Sequence, residues 1–291
     1  MQKNIIISGA SGFIGSALSQ YFSNGGDRVI HIVRSDSKSK YESVLQSDFT
    51  KEFIAMFDAE NTFVLNLSGA NIGAKKWSNA YKQEIINSRV NTTERIVKVL
   101  KNSGILLINA SAVGYYGDAG DRILDEHSPA GSGFLSEVCQ KWEQAACKYH
   151  DLLIARFGVV LGNSGGAFDK MITPFKIFAG GYIGSGKQWL PWIHIDDLVS
   201  LMAYSIDNRL QGIMNFVSPA PITYRQFADA TGKVLKRPSV LNVPTFAIKK
   251  LMGEQAELVL NSQRVLPIRA LSEEFKYKFE NINIALLDLL K

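Results

Sequence analysis

Two cysteines, Cys139 and Cys147, are all that a chain of 291 residues carries, and both fall in one helix-like stretch. That pattern excludes a disulfide framework and fits a reducing compartment, and neither number nor spacing suggests a metal site. Long hydrophobic runs are lacking too: none approaches the roughly 20 residues that a membrane helix needs, so no membrane partner is expected. The N-terminus enters the strand-like Ile5-Ile6-Ile7 at once, without the charged, apolar and small-residue order of a secretion signal. A cytoplasmic location is therefore expected. Dense basic runs interleaved with aromatics are also missing, and +5 from 32 basic and 27 acidic residues is a modest excess. It helps attract an anionic cofactor but does not argue for nucleic acid. The chain has no internal repeat and no low-complexity stretch.

What is present is an ordinary globular composition, 46% apolar and 20% charged, enough for one large core or one core plus a smaller lobe. Runs at Asn4 to Ser8, Arg28 to Val33, Thr62 to Leu67, Ile105 to Ala110 and Leu152 to Arg156 read as strands, and amphipathic helical stretches separate most of them. The strands are nearly continuous apolar runs, as doubly buried strands are. This βαβ alternation predicts an α/β fold, a doubly wound parallel sheet of Rossmann type. Loops at Gly9 to Gly15, Gly69 to Gly73, Ala112 to Gly120 and Gly158 to Gly166 then fall at the carboxyl edge, where open parallel sheets bind ligands. From about Gly180, glycines and prolines break the pattern into short elements, read as a smaller C-terminal α/β lobe partly built from the segment after Gly165. The expected division is a dinucleotide-binding domain over residues 1–220 and a small C-terminal domain over 240–291.

Gly9, Gly12 and Gly15 follow the first strand directly and lead into the helix-like run Ser16 to Phe22. The first glycine permits a tight turn, the second lets backbone N–H groups approach a diphosphate, and the third lets the helix pack on the sheet. The helix N-terminus adds partial positive charge. About 20 positions on, where an acidic residue would accept from the ribose hydroxyls, stands Arg34. A guanidinium suits a 2′-phosphate, which favours NADP(H) over NAD; Asp36, two residues further, is an alternative acceptor that fits NAD.

The GxxGxxG spacing looks like that of the short-chain dehydrogenase/reductase superfamily. The chain resembles, over essentially its whole length, the NAD(P)-dependent epimerase/dehydratase family, and within it the atypical YfcH-like subfamily with its small C-terminal domain. The resemblance rests on Ile7 to Gly15, Asn66-Leu67-Ser68-Gly69-Ala70-Asn71-Ile72, Ala110 to Gly117, Trp142-Glu143, Gly184 to Trp189, Pro191 to Asp197, and Ser262-Gln263-Arg264-Val265-Leu266-Pro267. It implies a cofactor held by Gly9, Ser11, Gly12, Phe13, Ile14 and Gly15. Leu67, Ser68 and Gly69 would pass along its adenosine side and Ser111 would lie near the nicotinamide.

One departure matters for chemistry. Active members of the superfamily use a Tyr-x-x-x-Lys pair on the helix after the strand ending at Ala110; aligning on Trp142-Glu143 puts Leu135 and Cys139 there. Leucine transfers no proton, a neutral thiol does not replace an ammonium, and Lys141 faces the other side of the helix. Ser111 and Tyr115 are the candidate catalytic residues, with aromatic packing the alternative for Tyr115 and Tyr116. His194 is expected to make a structural hydrogen bond, Asp196 or Asp197 to cap a helix, and Cys139 to be a buried thiol rather than a nucleophile. Trp189, Leu190 and Trp192 predict an apolar wall, and Arg156, Lys187 and Arg264 are candidate anion partners. The expected function is an NADP(H)-dependent oxidoreductase or epimerase-like enzyme with a small, partly apolar carbonyl or hydroxyl substrate. The alternative is a sensor that binds NADP(H) without chemistry.

Overall fold

The computed structural model describes residues 1–35, 39–163 and 165–290. Its centre is a seven-stranded sheet in which every neighbouring pair is parallel: β1 (Asn4–Ser8), β2 (Arg28–Val33), β3 (Glu42–Leu45), β4 (Thr62–Asn66), β5 (Leu106–Ala112), β6 (Leu152–Phe157) and β7 (Gly212–Phe216). The order is β7-β6-β5-β4-β1-β2-β3, so the chain starts in the middle and winds outward in both directions. The expected Rossmann sheet is present. Strands β3 and β7 were not read from the sequence: Glu42–Leu45 is short with two exposed residues, and Gly212–Phe216 begins exposed.

The central strands are apolar throughout because both faces are covered. Ile5, Ile7, Leu65, Ile108 and Leu153 face one core, while Ile6, Val64, Leu107 and Ile154 face the other, and all are buried. The helices that matter for the site are α1 (Phe13–Asn24), α2 (Asn79–Leu100), α3 (Phe134–Ala146) and α4 (Ile195–Asp207). Ser78 starts α2 by accepting from the Tyr81 N–H, a serine N-cap.

A further core lies beyond the sheet, formed by Leu161, Phe168, Ile172, Leu190, Trp192 and Phe227 with residues of the last helix. Helix α5 (Tyr224–Leu235) opens on a capping box between Thr223 and Gln226, and α6 (Ile282–Leu289) packs against it. The C-terminal segment also reaches the main core through Ala270, Phe275 and Tyr277. Asp197, buried at the start of α4, accepts from the backbone N–H groups of Lys278 (2.8 Å) and Phe279 (2.9 Å), and the His194 ring stacks on Phe279 at 3.8 Å.

The expected capping role of Asp196 or Asp197 is corrected here. The cap is His194, whose Nδ1 accepts from the Asp196 N–H at 3.1 Å; Asp196 turns outward to Lys278 and Asp197 turns inward to the chain at 278–279. Burial lowers the His194 pKa and raises that of Asp197, so the imidazole is kept neutral as the cap acceptor requires. Because α6 completes the outer core, Leu286→Ala, at a fully buried position, is expected to lower unfolding free energy by about 2–5 kcal/mol in urea titration.

Candidate active site at the carboxyl edge of the sheet

The turn between β1 and α1 is built by close backbone approach. Gly9 has φ +83°, and a Cβ there would stand 2.8 Å from the Leu67 carbonyl carbon and oxygen; at Gly15 it would stand 2.5 Å from the Gly9 oxygen. These two positions admit only glycine without moving backbone. The Gly12 N–H donates to Gly9 O at 3.1 Å, closing the turn, and Gly12 is the N-cap of α1. That helix has no side-chain cap and no acidic residue in its first turn, so its N-terminal dipole end is left to an anion. Ser11 and Gly12 are exposed at the turn, while Ile14 leans on the main core. The Phe13 ring lies against the glycines at 162, 165 and 166.

The loop after β4 is bound to this turn. Leu67 N–H donates to Ser8 O at 2.9 Å, and the Ser8 and Ser68 hydroxyls are 2.6 Å apart. Leu67, Ser68 and Gly69 therefore run beside Gly9. Arg34 is exposed just beyond β2; Asp36 lies outside the described residues. Beneath the edge, Asn66 donates to Asn109 (2.7 Å) and Thr93 (2.8 Å), and the Trp142 indole donates to Thr93 (3.0 Å), so β4, β5, α2 and α3 share one satisfied buried network.

At the end of β5 the Ser111 hydroxyl donates to Glu143 Oε1 at 2.6 Å. Glu143 in turn accepts two bonds from Arg156, at 2.9 Å from Nε and 2.8 Å from Nη2. Arg156 Nη1 donates to the Tyr116 hydroxyl (3.0 Å), which donates to Asn215 Oδ1 (2.8 Å). The Arg156 guanidinium also sits 3.5 Å above the Tyr115 ring centroid, a cation–π contact. Arg156 is 1% exposed. Burial works against its charge, but hydrogen bonding to Glu143 and the charge of that carboxylate outweigh it, so its pKa lies above the ordinary arginine value. Burial pushes the Tyr116 hydroxyl up to about 12, which keeps it a neutral donor.

Several expectations change at this point. Arg156 is no free anion partner, because Glu143 takes it. Ser111 is buried with its single hydrogen turned to Glu143, so its oxygen keeps lone pairs and has no proton to offer. Leu190 and Trp192 belong to the outer core, and the ring of Trp189 is covered by the Arg264 guanidinium at 4.5 Å, so the expected apolar wall is absent. Their alternation around Pro191 hid which of them face inward. Cys139 is buried, with its thiol pushed up to about 11 by burial and by Glu143, as expected of an inert thiol. Lys141 pairs with Glu137 at the surface. Glu143 was named in the sequence only as part of a match; its signal was its place, four and eight residues after Cys139 and Leu135 on one helix face.

A family model described as NAD dependent epimerase/dehydratase family matches residues 5–215, and a model for a domain of unknown function, DUF1731, matches residues 243–289. The chain belongs to the NAD dependent epimerase/dehydratase family. Among similar proteins, the epimerase family protein SDR39U1 homolog, chloroplastic, of Arabidopsis thaliana is 41% identical over 96% of this chain and 84% of its own length. A crystal structure of human epimerase family protein SDR39U1 (isoform 2) with NADPH superimposes with a TM-score of 0.88, at 30% identity over 98% of both chains. A UDP-N-acetylglucosamine 4-epimerase from Bacillus cereus, at 16% identity and a TM-score of 0.76 over 99% of this chain and 98% of that one, shares the fold. No helix among the described residues is long and apolar enough to cross a membrane.

The buried pair gives a direct test. Glu143→Gln strands the Arg156 charge and is expected to cost about 3–5 kcal/mol of stability by chemical denaturation, whereas Glu143→Leu combined with Arg156→Met recovers most of that loss.

Proposed function

We propose that this member of the family is an NADP(H)-binding oxidoreductase or epimerase-like enzyme acting on a small carbonyl or hydroxyl compound. The observation that carries the reading is the cradle at β1 and α1: glycines packed against backbone and an uncapped, acid-free helix N-terminus. Gly9, Ser11, Gly12, Phe13, Ile14 and Gly15 are assigned to the diphosphate, and Leu67, Ser68 and Gly69 to the cofactor's flank. Arg34 is assigned to a 2′-phosphate, and the NADPH in the human relative's structure supports the phosphorylated cofactor.

The cofactor, when bound, supplies or accepts the hydride. In the reduction direction Tyr115 gives its hydroxyl proton to the carbonyl oxygen, and the Arg156 charge against its ring stabilises the phenolate left behind. Ser111 Oγ, its own hydrogen on Glu143, accepts from the product hydroxyl and orients it. With Arg156 paired and the apolar wall absent, the substrate's apolar character loses its support, and a small polar carbonyl fits as well.

In calorimetric titration, NADPH is expected to bind at least about tenfold more tightly than NADH, with Arg34→Ala removing the difference, the size of one charge-assisted contact. If neither nucleotide binds, the glycine turn is structural only and the proposal falls.

A second reading, an NADP(H) sensor without chemistry, is favoured by Leu135 and the inert Cys139 at the positions of the superfamily's proton-transfer pair. NADPH consumption across a carbonyl panel separates the two. For an enzyme, Tyr115→Phe lowers kcat at least about a hundredfold while NADPH affinity is kept. A sensor consumes none and changes its oligomeric state or partner on binding.

A further inference from the structure

Two stretches of the chain carry no acid at all: residues 170–195, with Lys170, Lys176 and Lys187, and residues 230–253, with Lys233, Lys236, Arg237, Lys249 and Lys250. Taking these eight from the 32 basic residues leaves fewer basic than acidic side chains (27) in the rest of the chain, so the net positive charge of the protein resides in them. The fold brings the two stretches together. The strand Leu241–Val243 pairs in parallel with Gly181–Ile183, the Leu241 N–H donates to Gly180 O at 3.2 Å, and the Arg237 guanidinium lies 3.8 Å from the Phe178 ring centroid. The acids that flank the second stretch are engaged elsewhere, Asp229 by Arg225 and Ser239 and Glu254 by Lys82.

The same region leaves large apolar side chains in water. Val240 is 75% exposed, Phe246 74% and Leu251 71%, and Ile177 and Phe178 are exposed as well. The helix Thr245–Met252 has no buried residue, and it carries Phe246 and Leu251 together with Lys249 and Lys250. Exposed apolar residues of this size, gathered among lysines, mark a surface that meets a partner. A second copy of the chain does not fit, because a symmetric contact through this face sets like charges opposite each other. The chemistry that fits is an apolar phase beneath an anionic one: phenylalanine and leucine enter the acyl boundary, while lysine and arginine stems lie along it and carry their charges to the phosphates. We propose that this face docks on an anionic lipid bilayer. The expectation of no membrane partner rested on the shortness of the hydrophobic runs, which excludes a spanning helix; a helix lying in the interface needs no such run. The proposal goes beyond the nucleotide reading and is independent of it.

The test is co-sedimentation of the full chain with vesicles of phosphatidylcholine containing about 30% phosphatidylserine, set against vesicles of phosphatidylcholine alone. At low salt the protein is expected to bind the first at least about tenfold more tightly than the second, and to be released as salt is raised. Lys249→Glu with Lys250→Glu, and Phe246→Ser with Leu251→Ser, are each expected to weaken binding to the anionic vesicles at least about tenfold. Lys98→Glu with Lys101→Glu makes the same charge change at exposed positions at the end of α2, and is expected to stay within about twofold of wild type. All of these side chains are exposed, and circular dichroism checks that each variant is folded; if one patch pair fails to fold, the other decides. No binding to the anionic vesicles, equal binding to both kinds, or a loss in the Lys98 and Lys101 variant as large as in the patch variants overturns the proposal. A dimer in sedimentation velocity that Phe246→Ser with Leu251→Ser dissociates overturns it too, and gives the face to a second copy of the chain.

Discussion

The buried pair between Arg156 and Glu143 is the contact on which the candidate site depends. It joins β6 to α3, and through Ser111 and Tyr116 it reaches β5 and, through Asn215, β7. A guanidinium at this depth is tolerated only with its fork matched by a carboxylate, and the two parallel bonds at 2.9 and 2.8 Å supply that match. The pair fixes the orientation of the Ser111 hydroxyl, covers one face of Tyr115 with positive charge, and sets the seat of α3 against the sheet. Both side chains proposed to handle the proton, Ser111 and Tyr115, are in direct contact with it.

Charge along the carboxyl edge is distributed by depth. Arg156 is enclosed and paired with Glu143, Arg89 is half-buried and, among the described residues, bonded to two backbone carbonyls, and Arg34 is exposed. The α1 N-terminus adds partial positive charge between the last two. Among the described residues neither Arg34 nor Arg89 is paired with a carboxylate, a distribution that suits an extended anionic ligand laid across β2, β1 and β4, while Arg156, paired with Glu143, stays with the fold.

Much of this was legible in the sequence where the signal is local. Strands β1 and β2 follow from short apolar runs, and the β1 turn follows from glycines whose spacing is dictated by backbone contact. The thiol of Cys139 was legible as inert from its neighbourhood in sequence, which holds no histidine to activate it, and burial does push it up to about 11. Trp189, Leu190 and Trp192 were not: three large apolar residues around a proline look like a wall, and only packing shows that two of them fill the outer core. Asp196 and Asp197 matched the usual cap composition, yet the His194 ring nitrogen reached the N–H first and Asp197 was drawn to the chain some 80 residues on.

The sequence by itself determined the doubly wound parallel sheet, the glycine turn at its centre and the absence of the Tyr-x-x-x-Lys pair, because periodicity and glycine spacing are properties of neighbouring residues. Tertiary structure decided which charges are neutralised. Ser111 meets Glu143 across 32 positions, and Tyr116 meets Asn215 across 99. No local pattern records whether an arginine will find a carboxylate in the interior. That depends on which helix face is laid against which strand, and it separates Arg156, held by the fold, from Arg89, left facing the edge.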